Sequence, residues 1–428
     1  PPTVTTLKVG GMAHLSGPYT EIGGPINGMW LDYTYWWNKE VGKRIGVEVD
    51  LLMDDCRCDA TLVSELWMKY RDVGVVAAVF TTSMETNILI EELEKAQIPA
   101  TSTSCSWYAY IPTGWAFNGS RNDDSCLVTF LKWLDMPEGK EHEKDKPWMK
   151  EGRRPVIGFI GWDNPYGRSP IGTLFEACKK YNMPWAGGEI VPYVFPTAEP
   201  QLKRLVANGA DYILVSMCGS GPAIIWRDAY RLKLKERGID IVGHHGTTVR
   251  EQLYLAEEAG EGALGSMPYG QPEEDFVALQ EMQTAHKERT GKDLKYADAM
   301  WLGYGQCLIL YEAIRMLVED KGMDPAEITG KDIYEVLSSG EVEADPKGAF
   351  PKPYTYVYYE GGFCGVTAAH ADRVVMWHWK PGKVGKEGYF ELLSDWIYDP
   401  LDLWPNTAER RAEVMAYEKE GLKGPWTP

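Results

Sequence analysis

Short apolar runs alternate with amphipathic stretches from Leu7 onward, a pattern with few solutions other than a largely parallel sheet with helices packed on it. The pattern predicts strands over Leu7 to Met12, Val47 to Met53, Val75 to Phe80 and Pro99 to Thr103. Between them it predicts a helix from Gly23 to Asn38 and a second in which Leu62, Val63, Leu66, Trp67 and Tyr70 recur behind an Asp59 cap. A third helix has its apolar face on Ile88, Leu89, Leu93 and Ala96. A loop rich in Trp, Tyr, Gly and Pro, residues 106–119, leads to a helix near Asp124 to Leu134.

The same grammar then restarts. Strands are predicted over Val156 to Ile160, Glu189 to Val194, Tyr212 to Met217 and Ile239 to Val242. Helices are predicted over Ile171 to Tyr181, Gln201 to Asn208, Ala223 to Glu236 and Val249 to Ala259, with Pro170 in the first turn behind a Ser169 cap. Two passes through one pattern in 428 residues, more than one core usually serves, imply two similar α/β lobes. Beyond Gly262 the chain reads as helices, Glu273 to Arg289, Asp298 to Glu319 and Lys331 to Leu337. A strand from Tyr354 to Tyr359 follows, then a hairpin of Val374 to Trp379 with Tyr389 to Leu393, and a terminal helix, Thr407 to Leu422. Trp377, Trp379 and Trp396 are expected to pack this last segment across the lobes, and the charge run Glu138 to Arg154 reads as a solvated surface insertion.

Composition removes several function classes. Sixty-two acids against 44 Lys and Arg give a net charge of −18, which repels nucleic acid and anionic membrane surfaces. No apolar run approaches the ~20 residues of a membrane-spanning helix, so no direct membrane insertion is expected. Cys56-x-Cys58 has no matching pair at zinc-site spacing, and neither a metal nor a cofactor is expected. His-Glu-x-x-His and Gly-x-Ser-x-Gly are absent and Cys218-Gly219-Ser220-Gly221 is not a phosphate cradle, so the chain does not read as an enzyme; a Cys218 and His245 dyad is the weak exception. A start at Pro1-Pro2-Thr3 without Met suggests a processed form.

Candidate ligand contacts cluster where strands end. In the first half the strands open into His14-Leu15-Ser16-Gly17-Pro18-Tyr19, Thr81-Thr82-Ser83 and Ser102-Thr103-Ser104-Cys105-Ser106. Hydroxyls beside helix N-termini suit a carboxylate or carbonyl, the alternative being that Thr82 or Ser83 only caps its helix. In the second half the strand ends carry Trp162, Asp163 and Tyr166, then Cys218, then His244 and His245. Adjacent histidines on an extended segment point to opposite faces, which favours polar ligand contact or structural hydrogen bonding over a metal.

Read together, Leu7-Lys8-Val9-Gly10 into Leu15-Ser16-Gly17-Pro18-Tyr19, Asp54-Asp55, Ile98-Pro99-Ala100, Asp163-x-x-Tyr166-Gly167 and Asp211-Tyr212-Ile213-Leu214 carry a likeness. From Leu7 to about Glu319 the chain resembles the solute-binding proteins of ATP-driven uptake systems of the leucine/isoleucine/valine-binding type. The resemblance implies an α/β fold of two Rossmann-like lobes, a type I periplasmic binding protein, with three crossover strands and a ligand cleft between the lobes. It implies one lobe of residues 1–120 and 265–350, a second of 121–264 and about 351–400, and a tail helix in 401–428. It also implies a periplasmic location, a membrane permease as partner, and no catalysis.

Carried over by position, Ser83 and Ser106, with the backbone near Thr82 and Ser104, grip a ligand carboxylate, and Ser16, Tyr19, Trp107, Asp163, Tyr166, Cys218 and His245 complete the contact set. Amino-acid binders of this family hold the ligand ammonium with a glutamate where this sequence has His245. The expected ligand is therefore a small molecule other than an ordinary α-amino acid, with an aromatic or apolar carboxylate preferred. A branched-chain amino acid, urea or a short amide, or a cytoplasmic sensor on the same fold, are the alternatives. The family's disulfide between the loops after the second and third strands is absent, because Thr82 occupies its second position; Cys105 with Cys126 is the alternative pairing.

Overall fold

The computed structural model describes residues 4–17, 19–103, 106–107, 114–119, 121–352, 354–358, 365–367, 371–398, 403 and 407–428. The chain divides into two compact units. Unit 1 comprises Pro1–Cys105, Ala109–Arg121 and Tyr269–Ala369, and unit 2 comprises Ser106–Tyr108, Asn122–Pro268 and His370–Pro428.

Unit 1 is built on β1 (Thr5–Ala13), β2 (Val47–Asp55), β3 (Ala77–Phe80), β4 (Ala100–Ser102) and β5 (Ala116–Asn118), in the order β2-β1-β3-β4-β5. All neighbours are parallel. The winding therefore reverses at β1, and the carboxyl ends of β1, β2 and β3 open side by side, the usual place for a ligand in such a sheet. Register sets what meets there: Ala13 lies opposite Asp55 and Met12 opposite Phe80, so the residues that leave each strand emerge level with one another. Asp59 caps the helix Ala60–Asp72 as expected, accepting from the Thr61 and Leu62 N–H groups. Strand β5 lies at the end of the irregular loop of residues 106–119, where three residues carry no period to read.

In unit 2, β6 (Ile157–Trp162), β7 (Trp185–Val191), β8 (Tyr212–Ser216), β9 (Asp240–Gly243) and β10 (Leu264–Met267) repeat the parallel pattern. The predicted strand Glu189 to Val194 is shifted towards the N-terminus, because Gly187 and Gly188 within β7 hide its apolar start, Trp185 and Ala186. Ser169 does not cap the helix Pro170–Lys180: it is itself in a helical conformation, and its hydroxyl donates to the Tyr166 carbonyl. The charge run is not merely solvated. It forms short helices, Pro137–His142 and Pro147–Lys150, that bury Trp148 and Glu143 against Tyr212, whose hydroxyl donates to the Glu143 carboxylate.

The chain then returns to both units. β11 (Glu343–Ala344), β12 (Tyr354–Tyr358) and β13 (Gly365–Thr367) form an antiparallel sheet in unit 1. β14 (Ala371–Trp379), β15 (Gly388–Leu392) and β16 (Ile397–Tyr398) extend the unit 2 sheet to the order β15-β14-β10-β9-β8-β6-β7, with β16 beside β14. The expected hairpin is thus present, with β14 running antiparallel to β10. Its tryptophans pack inside unit 2, where Trp377 and Trp379 meet Tyr254 and Trp396 lies under Arg373. The helix Ala408–Gly421, capped by Thr407, lies along Pro170–Lys180, and Trp426 pairs with Trp185 at the edge of β7.

Candidate functional site

At the carboxyl edge of unit 1, Asp55 organises the loop after β1. It accepts from the Leu15, Ser16 and Arg57 backbone N–H groups and from the Ser16 hydroxyl at 2.6 Å. Burial disfavours the Asp55 carboxylate, but these donors outweigh it and hold its pKa below the ordinary value. Ser16 is consequently a loop tie as well as a candidate contact. Thr82 forms a reciprocal cap with Glu85 on the helix Ser83–Ala96, so the capping alternative holds for Thr82.

Ser83 is different. It is the first residue of that helix and half-buried, and among the described residues no group hydrogen-bonds its hydroxyl. Thr81, Ser102 and Thr103 are instead spent on the fold. Thr81 bridges Asn27 to the Met12 carbonyl, Ser102 donates to the Thr82 carbonyl, and Thr103 donates to the Thr81 carbonyl. Ser104 and Cys105 lie outside the described residues.

Behind Tyr19, whose ring meets His14 edge-on at 5.6 Å, unit 1 buries a group that the sequence spacing did not reveal. His14 Nδ1 lies 2.8 Å from Cys58 Sγ, its Nε2 contacts Glu85 Oε1, and Cys56 Sγ lies 3.4 Å from the same oxygen. Burial opposes a charged ring here, yet bonding to Cys56, Cys58 and Glu85 prevails and His14 is pushed up to about 12. Gly23 makes the cluster possible, since a Cβ there would stand 2.7 Å from the His14 Cβ.

The carboxyl edge of unit 2 brings together residues from distant elements. The segment after β9 turns, with the Thr247 and Thr248 N–H groups both donating to the His244 carbonyl. The expectation that adjacent histidines diverge therefore fails, because it assumed an extended chain. Asp123, which opens the helix Asp123–Asp135, places Oδ1 2.9 Å from His244 Nδ1 and 3.9 Å from His245 Nε2. Tyr166 reaches His244 Nε2 at 3.4 Å. The sulfur beside His245 Nδ1, at 3.0 Å, belongs to Cys126. Cys126, read as a disulfide partner of Cys105, carries a thiol that also donates to Asp372 on β14. Cys218 is buried just after β8.

Other expected contacts are braced within the unit. Asp163 is held by Arg168 through two N–H groups, Ser106 donates to the Pro165 carbonyl, and the Trp107 indole donates to the Ser169 carbonyl. Asp123 was missed because a carboxylate opening a helix reads as an ordinary dipole partner. Asp372 arrives only through the antiparallel return of β14. The groove lined by Trp226, Leu234, Ile239 and Ala263 adjoins the start of β9, away from the His244 end, and takes no part.

Complete burial pushes His244 down to about 3, the Asp372 carboxylate opposing it, and the Gly246 N–H donating into Nδ1 at 2.9 Å fits a neutral ring. A folded value depressed below the unfolded ~6.5 means that the unfolded chain binds the extra proton. His244 therefore contributes stability that is complete above pH ~6.5 and lost as pH falls towards 3, by at most about 1.4 kcal/mol per pH unit. Melting curves between pH 7 and 4 are expected to fall more steeply for the native chain than for His244→Gln; equal slopes would remove this assignment.

The family described as periplasmic binding protein matches residues 6–351. No curated protein sequence matches the chain. Among solved structures, the chain is similar to a branched-chain amino acid ABC transporter protein from Thermus thermophilus with bound valine. That likeness has 19% identity, a TM-score of 0.69, and covers 93% of this chain and 98% of that one. A fatty acid ABC transporter substrate-binding protein from Thermomonospora curvata is 17% identical, with a TM-score of 0.72 over 94% of this chain and 95% of that one. A solute-binding protein from Rhodopseudomonas palustris in complex with 3,4-dihydroxybenzoic acid is 14% identical, with a TM-score of 0.68 over 93% of this chain and 99% of that one. These likenesses support the two-lobed α/β fold.

Proposed function

Because the chain belongs to the periplasmic binding protein family, we propose that it is the solute-binding protein of an ABC transporter, capturing a small organic carboxylate and delivering it to a membrane permease. It works outside the cytoplasmic membrane and does no chemistry on its ligand. The observation that carries the carboxylate reading is Ser83, a hydroxyl without a partner among the described residues, at the N-terminus of the helix Ser83–Ala96, where backbone N–H groups and the helix dipole favour an anion. Valine and 3,4-dihydroxybenzoic acid, bound by two proteins of similar fold, share that group.

His245 stands where the family's amino-acid binders place a glutamate, which favours an aromatic or apolar acid lacking an ammonium group. Tyr19, Trp107 and Tyr166 are the rings assigned to its body, and Ser16, Ser104, Ser106, Asp163 and Cys218 remain supporting contacts. One observation favours a second reading: Asp123, carried to the two histidines, offers a carboxylate to an ammonium, as a branched-chain amino acid would need. Non-denaturing purification followed by mass spectrometry of the released compound separates the two. An aromatic or apolar acid is expected. A branched-chain amino acid would transfer the assignment to the Asp123 reading, and a neutral compound such as urea would overturn both.

A further inference from the structure

Unit 1 buries three different metal-ligand types at one point. One ring nitrogen of His14, Cys56 Sγ and a Glu85 carboxylate oxygen all lie within 4.8 Å of one another, and all three residues are fully buried. The parallel register supplies the coincidence. Ala13 pairs with Asp55, so the next residue on each strand, His14 and Cys56, stand side by side, joined by the Cys56 N–H to the Ala13 carbonyl at 2.8 Å. Glu85 comes from the first turn of the helix that follows β3.

Two of the ligands, Glu85 and His14, are also held from behind. The Glu85 Oε2 atom accepts from the Thr82 backbone N–H at 3.1 Å and from the Thr82 hydroxyl, which leaves Oε1 aimed at His14 and Cys56. The His14 backbone N–H donates to Asn27, whose amide in turn donates to Thr81. Cys58 sits against Nδ1 of His14, the nitrogen opposite the one that meets Glu85. A metal-binding imidazole characteristically gives its other N–H to an anionic or carbonyl partner, which fixes the ring and raises its basicity. Cys58, half-buried, puts its sulfur at that position as a weaker acceptor and reaches it through consecutive left-handed residues, Arg57 at φ 54° and Cys58 at φ 58°.

We propose that His14, Cys56 and Glu85 form a binding site for a zinc-class divalent cation, with Cys58 as the positioning partner of His14. One nitrogen, one sulfur and one oxygen are three of the four ligands of a tetrahedral zinc site, with the fourth position left for a water or another small ligand. The thiolate selects against magnesium and calcium, which take oxygen ligands. The site lies outside the ligand contacts assigned above and does not depend on them, although Glu85 caps the helix that begins at Ser83.

The test uses the full chain, stripped with a chelator and kept reduced, and cobalt(II) as probe. Stoichiometric binding with a thiolate-to-cobalt charge-transfer band and the intense visible bands of a four-coordinate ion is expected, with zinc displacing both. Cys56→Ser is expected to remove the charge-transfer band. Cys58→Ser is expected to keep it while weakening binding by about tenfold to a hundredfold. Asp123→Asn, at the other buried group of potential ligands, is expected to change neither. In the native chain, zinc is expected to protect Cys56 from alkylation, mapped on peptides, a readout that does not rely on any variant folding. An absent sulfur band, equal alkylation with and without zinc, or binding lost with Asp123→Asn but retained with Cys56→Ser would each overturn the proposal.

Discussion

Replacing Ser83 with aspartate is expected to abolish ligand capture while leaving the protein as stable as before. The two halves of this result have separate causes. Ser83 is the first residue of the helix Ser83–Ala96, where an acidic side chain is favourable by about 0.3–1 kcal/mol because it faces the positive end of the helix dipole. The same side chain places a second negative charge where the proposed reading puts the ligand carboxylate. Two carboxylates brought together in a partly buried place lose at least about 4 kcal/mol, or a thousandfold in Kd. Ser83→Ala removes only a donor to a charged group, about 1.5–3 kcal/mol, and is expected to weaken binding by roughly tenfold to a hundredfold. Calorimetric titration with the released native ligand, alongside thermal melting, checks both. Unchanged affinity in Ser83→Asp would show that the ligand carboxylate binds elsewhere.

The largest expected stability effect falls on Gln306, in the middle of the helix Met300–Glu319. Its Oε1 accepts from the Trp30 indole at 2.8 Å, and its Nε2 donates to the Phe80 and Thr101 carbonyls at 2.8 and 3.0 Å. One amide thus ties a late helix to the helix Thr20–Trp37 and to the ends of β3 and β4. Gln306→Leu preserves volume but strands the buried Trp30 indole N–H and takes one donor from each of two strand carbonyls, of which Phe80 keeps the Thr103 N–H. At about 1–3 kcal/mol for the stranded indole and about 0.5–1.5 kcal/mol for each carbonyl bond lost, with partial relaxation, the expected loss is about 2–4 kcal/mol, or roughly 10 °C in Tm for a unit of this size. Thermal or urea unfolding with Gln306→Glu as a second variant checks it; a loss below ~1 kcal/mol would mean that the network relaxes at little cost.

Much of the architecture was legible because it follows from period. Leu7 to Met12, Val75 to Phe80 and Tyr212 to Met217 fell on strands, and Asp59 on a cap, since apolar spacing and capping chemistry are local. The edges of the two parallel sheets were legible for the same reason: knowing where strands end fixes where ligand-facing loops begin. What lay beyond reading was anything decided by register. His14, Cys56 and Glu85 are scattered along the chain, and only the pairing of Ala13 with Asp55 and of Met12 with Phe80 aligns them. His244 and His245 were misread because a turn replaced the extended segment that the alternation rule assumes. Asp372 was invisible because its strand returns antiparallel from the far end of the sequence.

The interleaving of the two units has a consequence for the order in which the protein can mature. Unit 1 requires Gln306 and its helix, which are synthesised only after all of β6 to β10, while unit 2 requires β14, β15 and the helix Ala408–Gly421, which follow the last segment of unit 1. Neither unit is a contiguous stretch that can close as it emerges from the ribosome. Unit 1 can close only when synthesis has reached Ala369, and unit 2 only when the segment from His370 onward has been made, so neither can finish folding early in translation.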